Sequence, residues 1–442
     1  MSDSPERRLL FIAYEFPPSA GGGVARVAAW ARMLNDAGWD VRVLTAEPVR
    51  GRPTDPSLEA DVAGIEVVRL PARNVTARIA ALILPLKAVR GALRRRGPAA
   101  PAAAASDGAS APASSRIARW LAVPDDAMLW ARRVPAAAAR MLAERPCDVV
   151  LASGPPYSAL VAAVRVGKQH GVPVLCDLRD PWRGNINLRW PTAVHARRSE
   201  ALERFVMEHA AAVTAVSSVI ADEASALGAR VVEVVPNGFD PERMVPAVPE
   251  HGPLRLAFLG RFSPAVFDPA HLFGAIRAAA DACGADALAL DVYGPDADWI
   301  GDAVRASGAE GLVNRHGFKP YGQAVAAVAG ADVGVIVIAD RPGAEGIYSG
   351  KLFDYLGIGV PVLLYGPPRG VAAEVVREAG GVVVPYGDRD ALASALISLA
   401  VRKRERGTLD MTTAPAVRMR FDRRAQAARV SALLADAVRV GS

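Results

Sequence analysis

The sequence has few cysteines and histidines, and it lacks any long apolar run. Its three cysteines, Cys147, Cys176 and Cys283, lie far apart. Their spacing fits neither a disulfide framework nor a zinc site, which favours a reducing cytoplasm. The apolar run in the opening MSDSPERRLLFIAYEF is only five residues long, so we expect a buried strand there and no signal peptide. No run of about 20 apolar residues exists, so we expect no membrane-spanning helix.

An acidic excess is also missing. The chain has 52 Lys and Arg against 46 Asp and Glu, a net charge of +6, and part of this excess lies in clusters such as Arg94 to Arg96. A basic balance favours an anionic partner such as nucleotide phosphates or lipid headgroups, although arginine is also common in alanine-rich chains. No module interleaves aromatic with basic residues, so we expect no nucleic-acid binding.

Buried strands alternate with helices along the 442 residues, which is long for one domain. A strand over Leu9 to Ala13, a helix over Val24 to Leu34 and a strand over Val41 to Thr45 predict a parallel βαβ unit. The alternation restarts after PERMVPAVPEHGP, which predicts a linker over 241–253. We therefore predict an α/β protein with two Rossmann-like domains facing across a cleft, and ligands at the carboxyl ends of the strands.

Two segments interrupt this alternation. Residues 97–115 are almost all Ala, Pro, Ser and Gly, which predicts a disordered loop. Residues 78–96 carry apolar side chains at helical spacing beside several basic ones. Such a basic amphipathic helix can lie on the inner membrane surface, and an ordinary surface helix with solvated arginines explains the pattern equally well.

The stretch EGIYSGKLFDYLGIGVPVLLYG, residues 345–366, contains the clearest chemical motif. Its glycines let backbone N–H groups approach a ligand, and they precede a helix whose N-terminus carries a positive dipole end. Lys351 in the first helical turn is unfavourable there without an anion, so a pyrophosphate fits. Asp354, one turn further on, can accept hydrogen bonds from a ribose or a sugar hydroxyl. The alternative is a glycine-rich loop with a solvent-facing lysine.

The part SGKLFDYLGIGVPVL resembles the C-terminal signature of family 4 nucleotide-sugar glycosyltransferases, which are retaining enzymes of the GT-B fold. The ending GVPV matches, and Asp354 takes the second acidic position, which the resemblance places on the donor ribose. The first acidic position falls at Gly346, with Glu345 one residue early. Ser349 and Lys351 match subfamilies with Ser/Thr and Lys ahead of the acidic-Tyr-Leu sequence.

The resemblance extends over most of the chain. YEFPPSAGGGVARVAAW is similar to the family's glycine-rich N-terminal turn, and FLGRF places Arg261 at a strand end, where the family's arginine holds the diphosphate. The family's usual lysine about five residues later is absent, so Lys351 and Arg261 are expected to share this charge. The resemblance assigns the donor to Gly21, Gly22, Gly23, Gly260, Glu345, Gly346, Ile347, Tyr348, Ser349, Gly350 and Asp354.

The stretch DLRDPWRGN departs from the family. Many relatives have a histidine here near the transferred sugar, and the alignment places Arg179 or Asp180 at that position. We therefore predict Arg179, Asp180, Arg261 and Lys351 as the catalytic residues. The alternative is that Arg179 and Asp180 form a buried ion pair and that Trp182 is simply core.

Two further patterns have ordinary interpretations. The DAD sequence at 296–298 suggests a metal-diphosphate site, but it follows the strand-like LDVYG and no cluster of other metal ligands accompanies it. We therefore predict a loop and no metal. His316 in RHGF is interpreted as part of a surface turn.

The resemblance implies domains over 1–243 for the acceptor and 253–410 for the nucleotide sugar, and a C-terminal helix over 411–442 that crosses back to the first domain. It implies metal-independent, retaining transfer from a nucleoside-diphosphate sugar, most simply a UDP or GDP sugar, without any other cofactor. The acceptor is a glycan, a glycolipid or a small molecule, and the expected setting is cell-envelope polysaccharide or glycoconjugate synthesis in the cytoplasm or at the membrane face. The alternatives are an inactive nucleotide-sugar-binding partner subunit, a natural-product glycosyltransferase and a nucleotide-sugar 2-epimerase.

Overall fold

The structure is a computed structural model. The residues that it describes are 7–19, 22–49, 54–72, 74–76, 78–79, 120–183, 185, 188, 190–248, 250–262, 267–341, 343–409, 411 and 413–441. The predicted loop over 97–115 lies outside the described residues, as does all of the predicted amphipathic helix beyond Ile79. The chain divides into two compact units, Met1–Pro236 with Ala427–Ser442, and Asn237–Gln426.

The first unit is built on a parallel sheet in the order β3-β2-β1-β4-β5-β6-β7, which has seven strands within the described residues. The central strands are nearly continuous apolar runs because helices cover both faces of a parallel sheet. The strands are β1 (Arg7–Ala13), β2 (Trp39–Ala46), β3 (Glu66–Leu70), β4 (Val149–Gly154), β5 (Val174–Leu178), β6 (Ala212–Ala215) and β7 (Val232–Val234).

Helices lie between these strands. They are α1 (Gly22–Asp36), α2 (Ser57–Ala60), α3 (Met128–Ala131), α4 (Val134–Glu144), α5 (Tyr157–His170), α6 (Ala193–His209) and α7 (Ser218–Ala226). One core cluster joins Trp30 of α1 to Phe11 of β1, and the same cluster contains Val430 and Leu434 from the end of the chain. The last helix therefore completes the core of the first unit.

The second unit repeats the architecture with a parallel sheet in the order β10-β9-β8-β11-β12-β13, which has six strands among the residues described. The strands are β8 (Leu254–Leu259), β9 (Leu288–Tyr293), β10 (Val313–Arg315), β11 (Val333–Val337), β12 (Val362–Gly366) and β13 (Val382–Pro385). The helices of this unit are α8 (Ala270–Cys283), α9 (Asp298–Ala306), α10 (Tyr321–Val328), α11 (Gly350–Ile358), α12 (Val371–Glu378), α13 (Arg389–Arg406) and α14 (Pro415–Arg420). Helix α15 (Arg423–Gly441) ends the chain.

The predicted α/β fold with two Rossmann-like domains is confirmed by these two sheets. The stretch 411–442 contains two helices, α14 and α15, separated at Phe421 and Asp422, whereas the sequence predicted a single helix there. The separation coincides with a bridge between Phe239 and Asp422, since Phe239 also donates its N–H to the carbonyl of Phe421. No helix among the described residues is both long enough and apolar enough to cross a bilayer.

Candidate functional site

The predicted motif at 345–366 lies at the carboxyl end of β11, where ligands bind in sheets of this kind. A 3-10 turn, Ala344–Gly346, leads to Ser349, which precedes the first residue of α11. The side chain of Ser349 makes no capping hydrogen bond, so the first turn keeps the positive dipole end that an anion can approach. Gly359, at φ 92°, ends the helix in the left-handed conformation that glycine adopts readily.

Lys351 lies in this first turn, and it forms no ion pair with an acidic residue that the structure describes. Its Nζ is 4.4 Å from the centroid of the Phe258 ring, and its ammonium makes no hydrogen bond or ion pair with any described residue. Burial lowers the pKa of Lys351 to about 8, while the charge of Asp354 acts in the opposite direction. A partly desolvated ammonium at a helix N-terminus is the arrangement that a bound anion would relieve.

Gly260 leaves the space through which the Lys351 side chain passes. A Cβ added at Gly260 would lie 2.9 Å from Cε of Lys351, and the φ of +107° at Gly260 also favours glycine. Gly294, after β9, approaches even more closely, since its Cβ would lie 2.0 Å from the carbonyl oxygen of Gly260. Two glycines at neighbouring strand ends therefore shape the space around Lys351.

Asp354 follows Lys351 by three residues and so lies on the same helical face. Tyr321 donates its hydroxyl to Oδ1 of Asp354 at 2.6 Å. Burial raises the pKa of Asp354 to about 6, although the Tyr321 hydrogen bond and the charges of Arg423 and Lys351 lower it. The carboxylate is therefore held in one orientation beside the lysine, in a partly desolvated place.

Tyr355 fixes α11 against the sheet. Its hydroxyl accepts the N–H of Leu259 at 3.0 Å and lies 3.1 Å from the carbonyl of Ala257, to which it can donate. Its ring occupies the space above Gly334 in β11, where a Cβ would lie 2.5 Å from the ring. This anchor sets the position of Lys351 and Asp354 relative to the end of β8.

The other predicted donor residues are exposed or half-buried. Arg261 directly follows Gly260, is exposed, and makes no hydrogen bond or ion pair with a described residue; 263–266 lie outside the described part. Glu345, Gly346 and Gly350 are exposed, and Ile347 and Tyr348 are half-buried. The described structure contains no hydrogen bond between Glu345 and Asp354.

The loop that carries Glu345 is nevertheless fixed by packing. A Cβ added at Gly370 would lie 2.3 Å from the carbonyl oxygen of Glu345, and Gly370 has a φ of +107°. The Tyr348 ring also packs at 5.6 Å from the ring of Phe353 in α11. The 3-10 turn thus has a defined position against α11 and α12.

In the first unit, Arg179 lies across the N-terminal turn of α1. A Cβ added at Gly23 would lie 1.7 Å from its Nη1, and its Nη2 donates to the carbonyl of Pro155. Its Nε is buried and has no partner among the described residues, and burial lowers the pKa of Arg179. Gly22 begins α1, whereas the predicted donor residue Gly21 lies outside the described residues.

Asp180 is exposed, and no ion pair between Asp180 and Arg179 occurs in the described structure. Trp182 is core, only 3% exposed, and its ring stacks on Tyr157 with centroids 4.5 Å apart. The alternative interpretation of this stretch is therefore right for the tryptophan, while the guanidinium contacts Gly23 and Pro155 rather than Asp180.

A buried ion pair that the sequence analysis missed lies beneath this region. Arg26 of α1 donates to both carboxylate oxygens of Asp177, at 3.1 and 2.8 Å, and both side chains are at most 1% exposed. Ser153 and Thr214, the register neighbours of Asp177 on β4 and β6, also donate to it, at 2.8 and 2.9 Å. This network joins α1 to the carboxyl ends of three strands, next to Arg179.

The residues of the two other sequence patterns, at 296–298 and His316, have structural roles. Asp296 pairs with Arg315 at 3.0 Å, and Asp298 begins α9. His316 contacts Asp291 at 2.7 Å and stacks on Tyr293, so it is more ordered than the predicted surface turn. Within the described residues, no group of three or more His, Cys, Asp or Glu side chains is placed to hold a metal ion.

Residues 21–238 match the family model described as a glycosyl transferase 4-like domain. No curated protein has a significantly similar sequence.

Solved structures match almost the whole chain. HepE from Anabaena, in complex with UDP, is 15% identical with a TM-score of 0.63, and 97% of this chain and 100% of HepE are covered. Sucrose-phosphate synthase from Thermosynechococcus elongatus is 16% identical with a TM-score of 0.62, and 99% of this chain and 100% of the synthase are covered. A glycosyltransferase from Rickettsia africae is 11% identical with a TM-score of 0.64, and 99% of this chain and 100% of that structure are covered. At these identities the likeness establishes the fold.

Proposed function

We propose that the chain is a glycosyltransferase that transfers a sugar from a nucleoside diphosphate to an acceptor hydroxyl, with retention and without a metal ion. The match of residues 21–238 to the glycosyl transferase 4-like model and the likeness in fold to solved structures support this proposal. The observation that carries the proposal is Lys351, a half-buried ammonium at the uncapped N-terminus of α11, which has no hydrogen-bond acceptor among the described residues. A diphosphate supplies the charge that this place lacks.

The donor is bound by the second unit. Its diphosphate lies against the first turn of α11, where Lys351 and Arg261 neutralise its charge, and Gly260 leaves room for its close approach. Asp354 accepts hydrogen bonds from the ribose. HepE has been crystallised with UDP and with UDP-glucose, which favours a UDP sugar for this chain over a GDP sugar.

The chemistry needs no protein nucleophile and no further cofactor. The bond between the anomeric carbon and the diphosphate oxygen breaks while the acceptor oxygen bonds to the same face of that carbon. The acceptor proton passes to the departing phosphate oxygen. Lys351, Arg261 and the amides of the first turn of α11 stabilise the negative charge that develops on the diphosphate.

The acceptor is assigned to the first unit, near Gly23, Arg179 and Asp180. A lipid-linked acceptor of the cell envelope, reached from the cytoplasmic membrane face, fits the basic amphipathic sequence over 78–96. An exposed apolar surface supports this, since Trp120, Leu121 and Val194 are 56%, 60% and 71% exposed. Tryptophan is enriched at membrane interfaces because its ring is amphipathic.

Turnover of donor sugars tests the proposal. The wild-type protein is incubated with UDP-, GDP-, ADP- and dTDP-glucose in the presence of EDTA, and nucleoside diphosphate release is followed while proton NMR records the anomer of the released sugar. We expect turnover of one donor, most readily UDP-glucose, with slow hydrolysis by water when no acceptor is present. The sugar should first appear in the donor's anomeric configuration.

Three outcomes would contradict parts of this account. If the nucleoside diphosphate is released only after a divalent cation is added, metal independence is overturned. If the released sugar first appears as the opposite anomer, retention is overturned. Tight nucleotide binding without turnover, even with membrane lipid extracts as acceptors, would contradict catalysis and favour a nucleotide-sugar-binding partner subunit.

A further inference from the structure

Asp354 is held through only one of its two carboxylate oxygens. The Tyr321 hydroxyl, at the first residue of α10, donates to Oδ1 at 2.6 Å. Oδ2 makes no hydrogen bond with a described residue. A carboxylate has about four lone-pair positions, so Asp354 retains acceptor capacity on the side away from Tyr321.

Several charged groups face this pair. Lys351 lies on the same helix as Asp354, and Arg423, at the start of α15, also acts on the carboxylate. Tyr321 is itself affected by Arg423 and by Arg243, in the 3-10 turn Pro241–Arg243. Burial and the neighbouring carboxylate raise the pKa of Tyr321 well above its ordinary value, so Tyr321 remains a neutral hydrogen-bond donor at physiological pH.

Tyr321 lies 33 residues before Asp354 and on a different helix. It is half-buried, and its hydroxyl donates to the acidic residue of the proposed donor site.

We infer that Tyr321 is a positioning residue for Asp354. It orients the carboxylate so that Oδ2 accepts hydrogen bonds from the 2′- and 3′-hydroxyls of the donor ribose, and this contact selects ribonucleotides. The inference rests on the proposed donor function. Without the Tyr321 hydroxyl, the Asp354 carboxylate can rotate about its terminal bond and no longer presents one fixed orientation to the ribose. The Asp354 carboxylate also loses one of the interactions that keep it ionised, so its protonation competes more strongly with nucleotide binding.

The sign of the pH dependence follows from the pKa of about 6 for Asp354. The ionised form accepts the ribose hydroxyls, so nucleotide affinity falls as the pH drops through that pKa. Because the Tyr321 hydrogen bond lowers the pKa of Asp354, its removal raises this pKa and moves the fall in affinity to higher pH. A ligand without ribose hydroxyls does not use the carboxylate, so the substitution should not move the pH dependence of its binding.

The test compares the wild type with Tyr321→Phe by calorimetry between pH 5 and pH 8. The ligand is the one that the wild type binds tightest among UDP, GDP and ADP, together with its 2′,3′-dideoxy counterpart. In Tyr321→Phe we expect about a tenfold loss of ribonucleotide affinity at pH 7, the scale of a hydrogen bond to a charged group, and no change for the dideoxy ligand. The midpoint of the acidic limb should move to higher pH.

Tyr386→Phe is the matched control. Tyr386 is also half-buried in the second unit, and its hydroxyl accepts the N–H of Asp268 at 3.3 Å, away from Asp354. This variant should bind both ligands as the wild type does. Melting temperatures of the variants, measured without ligand, show whether each one folds.

The outcomes separate the inference from the proposed function. Equal losses for the ribonucleotide and the dideoxy ligand in a folded Tyr321→Phe, or an unmoved acidic limb, would overturn the positioning role while leaving the donor site intact. A wild type that binds no nucleoside diphosphate would overturn the proposed function and this inference together.

Discussion

Replacing Asp177 with alanine is expected to lower the free energy of unfolding of the first unit by about 3–5 kcal/mol. The carboxylate accepts hydrogen bonds from Arg26, Ser153 and Thr214, and its side chain is completely buried. Its removal takes two hydrogen bonds and the Asp177 charge away from the buried Arg26 guanidinium, which keeps its contacts with the carbonyls of Val235 and Pro236. Breaking a buried ion pair by removing one partner is strongly destabilising.

Urea unfolding followed by tryptophan fluorescence measures this effect. Six of the seven tryptophans precede residue 237, so the signal reports mainly on the first unit. Glu200→Ala is the control, because it breaks the exposed pair with Arg183, at 2.8 Å, and should cost at most about 1 kcal/mol. Similar small losses in both variants would show that the buried network does not stabilise this unit.

Gly294→Ala is expected to abolish measurable nucleotide binding. Its Cβ would lie 2.0 Å from the carbonyl oxygen of Gly260 and 2.6 Å from the carbonyl carbon, and a backbone group cannot rotate away as a flexible side chain can. The end of β8 must therefore shift, which moves Gly260 and Arg261 relative to Lys351. Overpacking of this kind costs about 1–3 kcal/mol of stability.

Gly274→Ala provides the matched comparison for Gly294→Ala. Gly274 lies within α8, and a Cβ there meets no atom within 4 Å. This variant should bind nucleotide as the wild type does. Its free energy of unfolding should rise by up to about 1 kcal/mol, because alanine is the better helix former. Binding by Gly294→Ala within about twofold of Gly274→Ala would contradict the role of the strand-end contact.

The fold was predictable because parallel strands that are buried on both faces appear in sequence as short continuous apolar runs. The strand predicted over Leu9 to Ala13 is observed over Arg7–Ala13, and the helix over Val24 to Leu34 is observed over Gly22–Asp36. Such errors of two residues at the ends are common, because the terminal residues carry little of the apolar pattern. The local alternation of apolar strands and helices in the sequence was enough to predict the fold.

The contacts of the candidate site were less predictable. Lys351 and Asp354 were found because glycines and a helix start surround them in sequence. Tyr321 was missed because it is 33 residues from Asp354, and no local pattern connects the two. The same is true of Arg26 and Asp177, which are 151 residues apart and meet because β1, which leads into α1, lies two strands from β5 in the sheet.

The central claim is that the N-terminal turn of α11, with Lys351, is the diphosphate cradle. The most direct test is calorimetric titration of UDP, GDP, ADP and dTDP in EDTA against the wild type, Lys351→Ala and Lys168→Ala. Lys168 is the control because it also lies over an aromatic ring, with Nζ 5.7 Å from the centroid of Phe205, but it is exposed on α5 of the first unit.

We predict that the wild type and Lys168→Ala bind one nucleotide tightly without metal, and that Lys351→Ala binds it at least about a hundredfold more weakly, since it loses a charge-assisted contact in a partly desolvated place. Unchanged affinity in a folded Lys351→Ala would contradict the account.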